Sequence, residues 1–165
     1  MKKLKNRSKI LIFSFFISAC STVQQDSNSE GYLDKIEAVK IGLSKDAVIN
    51  ILGKASKVKG ENWIYYSAGT GPQRSAVSFD HDKQVVVSAT FLPFSEEKEE
   101  KLSFILNEKF KKFSFQKIPL LICEQHYVPA KTFYISPDNG IVIEYDETLK
   151  AVESITWTSS LRAKK

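Results

Sequence analysis

The chain has 165 residues, 42% hydrophobic and 26% charged, which suits one globular domain or two small ones and excludes collagen-like, coiled-coil and fully disordered chains. Its net charge is +5, but the excess has one location. Lys2, Lys3, Lys5, Arg7 and Lys9 all precede the first acid, Asp26, and taking those five from the 24 Lys+Arg leaves 19, equal to the 19 Asp+Glu. The remainder is therefore formally neutral, which gives no support to nucleic acid as a partner. Two cysteines, Cys20 and Cys123, are too few for a disulfide framework.

Residues 1–9 are basic and residues 10–19 (ILIFSFFISA) nearly all apolar. Ten helical residues span roughly 15 Å, about half a bilayer's hydrocarbon core, so the stretch is too short for an anchor and suits a secretory signal. It ends in Ile17-Ser18-Ala19-Cys20, which resembles the bacterial lipobox. The resemblance implies that residues 1–19 are a lipoprotein signal peptide, that cleavage follows Ala19, and that Cys20 carries the lipid. More than one acyl chain gives stable membrane attachment where a single one is marginal. Ser21 occupies the sorting position, where it implies export to the outer membrane, facing the periplasm. Residues 20–31 then form a lipidated polar tether, whose last eleven residues reach roughly 20 Å as a coil.

Leu33, Ile36 and Val39 are spaced three apart and predict a short helix over 32–39. Gly42 permits a turn. Ser44 is a good N-cap, Asp46 complements the helix dipole, and Ala47, Val48, Ile51 and Leu52 make one stripe ending at Gly53, which predicts a second helix over 45–52. Trp63–Tyr66, Ala76–Phe79 and Val85–Phe91 read as strands, separated by Gly69-Thr70-Gly71-Pro72 and the turn Asp80-His81-Asp82-Lys83. The expected fold class is α+β: two short helices on a three-stranded antiparallel meander.

The pattern Gly42-Leu43-Ser44, Val48, Leu52-Gly53, followed by Trp63-Ile64-Tyr65-Tyr66, Val77-Ser78-Phe79-Asp80 and Val85-Val86-Val87, resembles the SmpA/OmlA (BamE-like) family of outer-membrane lipoproteins over about residues 32–91. Leu43 and Ala55 depart from that pattern, which more often has Met and Pro. The resemblance implies an α-α-β-β-β unit over 32–94, related to the repeat of β-lactamase inhibitory protein. It implies as partner an envelope protein, with the β-barrel assembly machinery as one candidate.

The second half, residues 95–165, reads as a divergent helix-plus-antiparallel-sheet unit. Ser95, Glu96 and Glu97 begin a helix over 95–110 faced by Leu102, Ile105, Leu106 and Phe110. Strands are expected over 120–128, 132–136, 141–145 and 151–158, with a turn at Pro137-Asp138-Asn139-Gly140. At an offset of 66, Val77–Phe91 aligns with Ile143–Trp157, placing Asp80 on Asp146, Ser88 on Ser154 and Thr90 on Thr156. The alignment suggests duplication.

Catalytic chemistry is not visible. His81 lies in a turn and His126 in a strand, without a nucleophile motif, phosphate loop or paired-cysteine site. Asp80-His81-Asp82 and Asp138-Asn139-Gly140 read as turns rather than metal sites. Cys123 and His126, three apart on a strand, would point to opposite faces, so Cys123 is expected to be core. The expectation is a non-enzyme without cofactor, catalytic residues or metal: a lipid-anchored envelope scaffold or interaction protein accessory to outer-membrane assembly or envelope integrity. The other reading is an inhibitor or ligand-binding module using a sheet face. Candidate contacts are loop 67–75, the stretch Phe91-Leu92-Pro93-Phe94, and Tyr65, Tyr66, Tyr134 and Trp157 on the sheet. Lys54, Lys57 and Lys59 form a basic loop.

Overall fold

The computed structural model describes residues 31–67, 71–94, 97–120, 130–159 and 161. Cys20, Ser21, Ser95, Cys123 and His126 lie outside the described residues. Helices α1 (Tyr32–Ala38) and α2 (Lys45–Leu52) come first, followed by strands β1 (Lys57–Lys59), β2 (Asn62–Tyr66), β3 (Gln73–Phe79) and β4 (Val86–Phe91). The second half opens on a 3-10 turn at Lys98–Glu100 and helix α3 (Leu102–Phe104), which widens into a π-helical turn over Ile105–Lys109. Strands β5 (Gln116–Pro119), β6 (Lys131–Ser136), β7 (Ile141–Asp146) and β8 (Ala151–Thr158) complete it.

Local chemistry sets the boundaries. The Ser44 hydroxyl accepts a hydrogen bond from Ala47 N, fixing the start of α2. Gly53 ends it at φ 81°, a conformation that costs other residues energy. Gly42, at φ 93°, turns the chain so that its N–H donates to Val86 O while Val86 N–H donates to Leu43 O. That clamp ties the helical hairpin to the sheet.

The eight strands form one continuous antiparallel sheet in the order β1-β2-β3-β4-β8-β7-β6-β5. This overturns the expected fold class, two helices on a three-stranded meander followed by a second helix-plus-antiparallel-sheet unit. Two short strands, β1 and β5, extend each meander to four, and β4 pairs with β8 to fuse the meanders. Three-residue and four-residue strands give too little alternation to read from sequence, and Lys57–Lys59, which the sequence places in a basic loop, is a strand. The expected helix over 95–110 is likewise corrected to the 3-10, α and π segments above; β5 at 116–119 is an additional strand, and the strand expected over 120–128 lies, apart from Leu120, outside the described residues.

The halves carry the same local geometry 66 residues apart. A register shift falls at Ser78/Phe79 in one and at Glu144/Tyr145 in the other. Asp80 Oδ1 accepts from the N–H groups of Asp82 and Lys83, and Asp146 Oδ1 from those of Thr148 and Leu149. Among the described residues, Gln84 and Lys150 are the non-glycine residues at positive φ, at 54° and 57°. Thr90 pairs with Thr156, its counterpart, across the β4–β8 seam, and their hydroxyl oxygens are 3.0 Å apart. A residue paired with its own counterpart marks a local two-fold axis through the seam.

Side chains alternate between the two faces of a strand. On one face Val77, Phe79, Val86, Ala89, Phe91, Ile141, Ile143, Val152 and Ile155 are buried with Leu33, Ile36, Val48, Ile105 and Phe110 of the helical segments. The described helical segments therefore pack on this face. The αL turn residues yield a stability prediction. An αL conformation costs an L-residue roughly 1–2 kcal/mol, whereas glycine costs about 0.5–1 kcal/mol in entropy. Gln84→Gly and Lys150→Gly should therefore each raise stability by roughly 0.5–1 kcal/mol, read from urea midpoints. A loss in both would contradict the turn assignment.

Candidate functional site

The opposite face of the sheet has none of its residues in the core cluster. Strand register lays a row across it through all eight strands: Lys57, Ile64, Ala76, Thr90, Thr156, Val142, Ile135 and Gln116. The row reads almost the same from either edge. Beside it, toward the β1–β2 turn, run Lys59, Asn62, Ser78 and Ser88. The counterparts in the second half are Ile118, Phe133, Glu144 and Ser154.

The two halves thus present different chemistry from one backbone. The first is basic and hydroxylic, with Ser78 Oγ donating to Asn62 Oδ1 at 2.6 Å. The second is apolar with an ionic border. Lys131 Nζ donates to Glu144 Oε1 and Glu153 Oε2, each at 2.5 Å. The hydrogen bonds that Lys131 donates, to Glu144 first and then Glu153, raise its pKa, so the ammonium stays charged. Two carboxylates around one ammonium leave a formal charge of −1 beside Phe133 and Ile118, and Ile118 is 46% exposed.

The other polar clusters are structural. Arg74, 6% exposed, donates to Glu97 Oε1 at 2.7 Å, and its guanidinium lies 4.1 Å from the Phe94 ring centre and 5.1 Å from that of Tyr32. Glu97 also accepts from Phe94 N–H. Every partner is internal, so this is a joint between halves rather than a reactive site. Lys109 bridges Asp34 and Glu37 across the helices. Burial opposes its charge, but the hydrogen bonds it donates to Asp34 and Glu37 outweigh that and raise its pKa. A cleft of about 210 Å³ beside it is lined by Leu33, Asp34, Lys98, Glu99, Phe104 and Lys109.

The structure redistributes the residues singled out from sequence. Of the four aromatics proposed for a binding face, only Tyr66 alternates onto the helix-free side. Tyr65 is buried, and Tyr134 and Trp157 pack against the core. Phe91 is fully buried, and Phe94 stacks on Arg74, so the 91–94 stretch is not an exposed contact. Within loop 67–75, β3 begins at Gln73 and both Arg74 and Ser75 are buried. Lys57 and Lys59 are strand residues on the open face, while Lys54 stays outside the strands. Asp80 is consumed by its own turn, and the His81 ring lies 3.4 Å from Glu61. Among the described residues no three His, Cys, Asp or Glu side chains are grouped to hold a metal ion, and no described helix is long and apolar enough to cross a membrane. The Phe133–Val142 patch is not legible in the sequence: Ile141–Ile143 is apolar on both faces, and in Thr132–Ser136 the hydroxyl-bearing Thr132 and Ser136 are the buried residues while Phe133 and Ile135 alternate onto the other face, so alternation alone cannot say which face is covered.

No protein-family profile, curated protein or solved structure matches this chain. The SmpA/OmlA resemblance rests on the residues quoted for it.

Tyr65 supplies a test of the helix-side core. Its hydroxyl is buried without a hydrogen-bond partner, and burial pushes its pKa up to about 12. A raised folded-state pKa leaves stability intact below the ordinary value near 10 and removes it as pH climbs toward 12, because the unfolded chain ionises first. Tyr65→Phe removes an unsatisfied hydroxyl that costs roughly 1–3 kcal/mol when buried. The variant should match or exceed wild-type stability at pH 7 and lose less between pH 10 and 12, measured by urea denaturation across that range.

Proposed function

We propose that this protein is a lipid-anchored interaction module of the bacterial outer membrane that binds an envelope protein through the helix-free face of its sheet. The carrying observation is the asymmetry of the sheet: eight strands wide, with the core cluster on one face only. The N-terminal sequence supports the membrane half of this reading. A basic stretch, a ten-residue apolar stretch and Ile17-Ser18-Ala19-Cys20 fit lipidation at Cys20, and Ser21 fits outer-membrane sorting. The SmpA/OmlA pattern makes the β-barrel assembly machinery the first partner to test. The mechanism is positional. A lipid anchor confines the domain near the membrane and raises its effective concentration against neighbouring proteins, so a weak face contact becomes an avid one.

The use of a sheet face, first considered for an inhibitor, is favoured over helix-side contacts because the helix side is spent on the core. The reaction centre of an enzyme has no counterpart in this reading.

The test is photo-crosslinking in intact outer membranes, with a photoreactive residue at Thr156 on the open face and at Ile49 on α2. Adducts from Thr156 and not from Ile49, identified by mass spectrometry, are the expected outcome. Cys20→Ala should release the folded domain from the membrane fraction, abolish labelling by palmitate and reduce the Thr156 adduct. Undiminished adduct from the released variant would overturn the avidity mechanism.

A further inference from the structure

The two halves of the open face are a built-in comparison. They share strand order, the register shift of the β3–β4 and β7–β8 hairpins and the turn geometry there, so over the matched positions folding makes the same backbone demands on each. Where matched open-face positions differ, the fold does not require the difference. In the first half they are Lys59, Asn62, Ala76 and Ser78, side chains suited to water. In the second half the same positions hold Ile118, Phe133, Val142 and Glu144. Ile118 is exposed and Phe133 and Val142 are half-buried; apolar surface left in contact with water is a liability unless something covers it.

The free edge of β5 does not invite strand addition. Leu120 N–H donates to Lys131 O, so by alternation residues 118 and 116 also direct their N–H groups toward β6. Residues 117 and 119 face outward, and residue 119 is a proline with no N–H to donate. Recognition therefore falls to the face. The face offers an apolar surface, Ile118-Phe133-Ile135-Val142, bordered by two carboxylates around one ammonium.

We infer that the second half of the open face is the recognition patch, and that it takes a protein segment presenting apolar side chains next to a cationic one. This rests on the proposed face-binding role and assigns the patch and partner chemistry within it. The cation would meet the carboxylates of Glu144 and Glu153, whose pairing with Lys131 leaves net negative charge. Apolar side chains would cover Phe133 and Ile118. The first half, with Lys57 and Lys59, is the polar remainder of the surface.

The experiment uses the chain from residue 20 with Cys20→Ala, which retains every described residue. The probes are two synthetic peptides, one alternating Leu and Arg and one alternating Leu and Glu. Amide chemical shifts and fluorescence anisotropy give site and affinity. The key variant combines Ile118→Lys, Phe133→Asn, Val142→Ala and Glu144→Ser, the residues that the first half carries on the same backbone, and its fold is checked by circular dichroism and urea unfolding. Phe133→Asn alone provides a second, milder variant. The Leu-Arg peptide should shift amides around Phe133 and Glu144, and bind at least about tenfold more tightly than the Leu-Glu peptide. The variants should weaken it by about tenfold or more, as for loss of a central anchor. Equal binding of both peptides, or binding indifferent to the folded variants, would overturn the patch assignment. Shifts confined to the first half would do the same while leaving face binding intact. Absence of peptide binding anywhere would overturn the partner chemistry, and the Thr156 crosslink would report separately whether the face binds at all. Self-association abolished by the variants would make the occupant a second copy. Attachment to phosphatidylethanolamine/phosphatidylglycerol vesicles abolished by them would make it a lipid surface. Either result would replace the inference.

Discussion

The pairing of β4 with β8 is the constraint on which the architecture depends. Without it each half would end in an unpaired strand carrying Ala89 and Phe91, or Ile155 and Trp157, with free backbone groups. Such edges recruit other chains. The seam removes both edges at once and leaves β1 and β5 outermost. Those are short, and their sequences guard them: Lys57 and Lys59 on one, Lys117 and Pro119 on the other. Thr90 and Thr156 share a hydrogen bond at the centre of the seam, where a larger side chain on both strands would meet its own counterpart.

The seam aligns the sheets, and buried polar contacts hold the helical segments across it. Arg74 of β3 reaches Glu97, just before the second half's helical segments, and Lys109 reaches back to Asp34 and Glu37 of α1. The Arg74 pair is nearly dry and gains from the aromatic rings of Tyr32, Phe91 and Phe94 around the guanidinium. Removing one partner of such a pair leaves a buried charge uncompensated, which is more costly than the pair is stabilising. The Lys109 contacts lie nearer solvent, where ion pairs are weaker. Together they keep the described helical segments on one side, and no described helix packs on the other face.

A duplicated scaffold separates what folding requires from what it permits. Asp80 and Asp146 do the same work in the same turn, and Gln84 and Lys150 adopt the same uncommon backbone conformation. The core-face pairs Val77 and Ile143, or Phe79 and Tyr145, remain apolar in both halves. Asn62 and Phe133, or Ser78 and Glu144, do not agree, and they lie on the open face. Constraint follows the covered face; freedom to diversify follows the exposed one.

The sequence by itself determined α1 and α2, because their caps and stripes are local: Ser44 on Ala47 N–H, Gly53 at the end of α2, Leu33 and Ile36 on one side. It determined the β3–β4 and β7–β8 hairpins, since Asp80 and Asp146 organise their turns within three residues. It also exposed the 66-residue offset. Only the tertiary structure decided that the halves share one sheet, because β4–β8 pairing joins residues far apart in the chain and leaves no local signal. The same holds for β1 and β5, too short for periodicity, and for the face that water sees. Tyr65 and Tyr66 are neighbours of equal propensity, yet alternation buries one beneath the helices and leaves the other on the open side. Which of the two was buried depended on where the helices packed, a choice made by the whole core rather than by either residue.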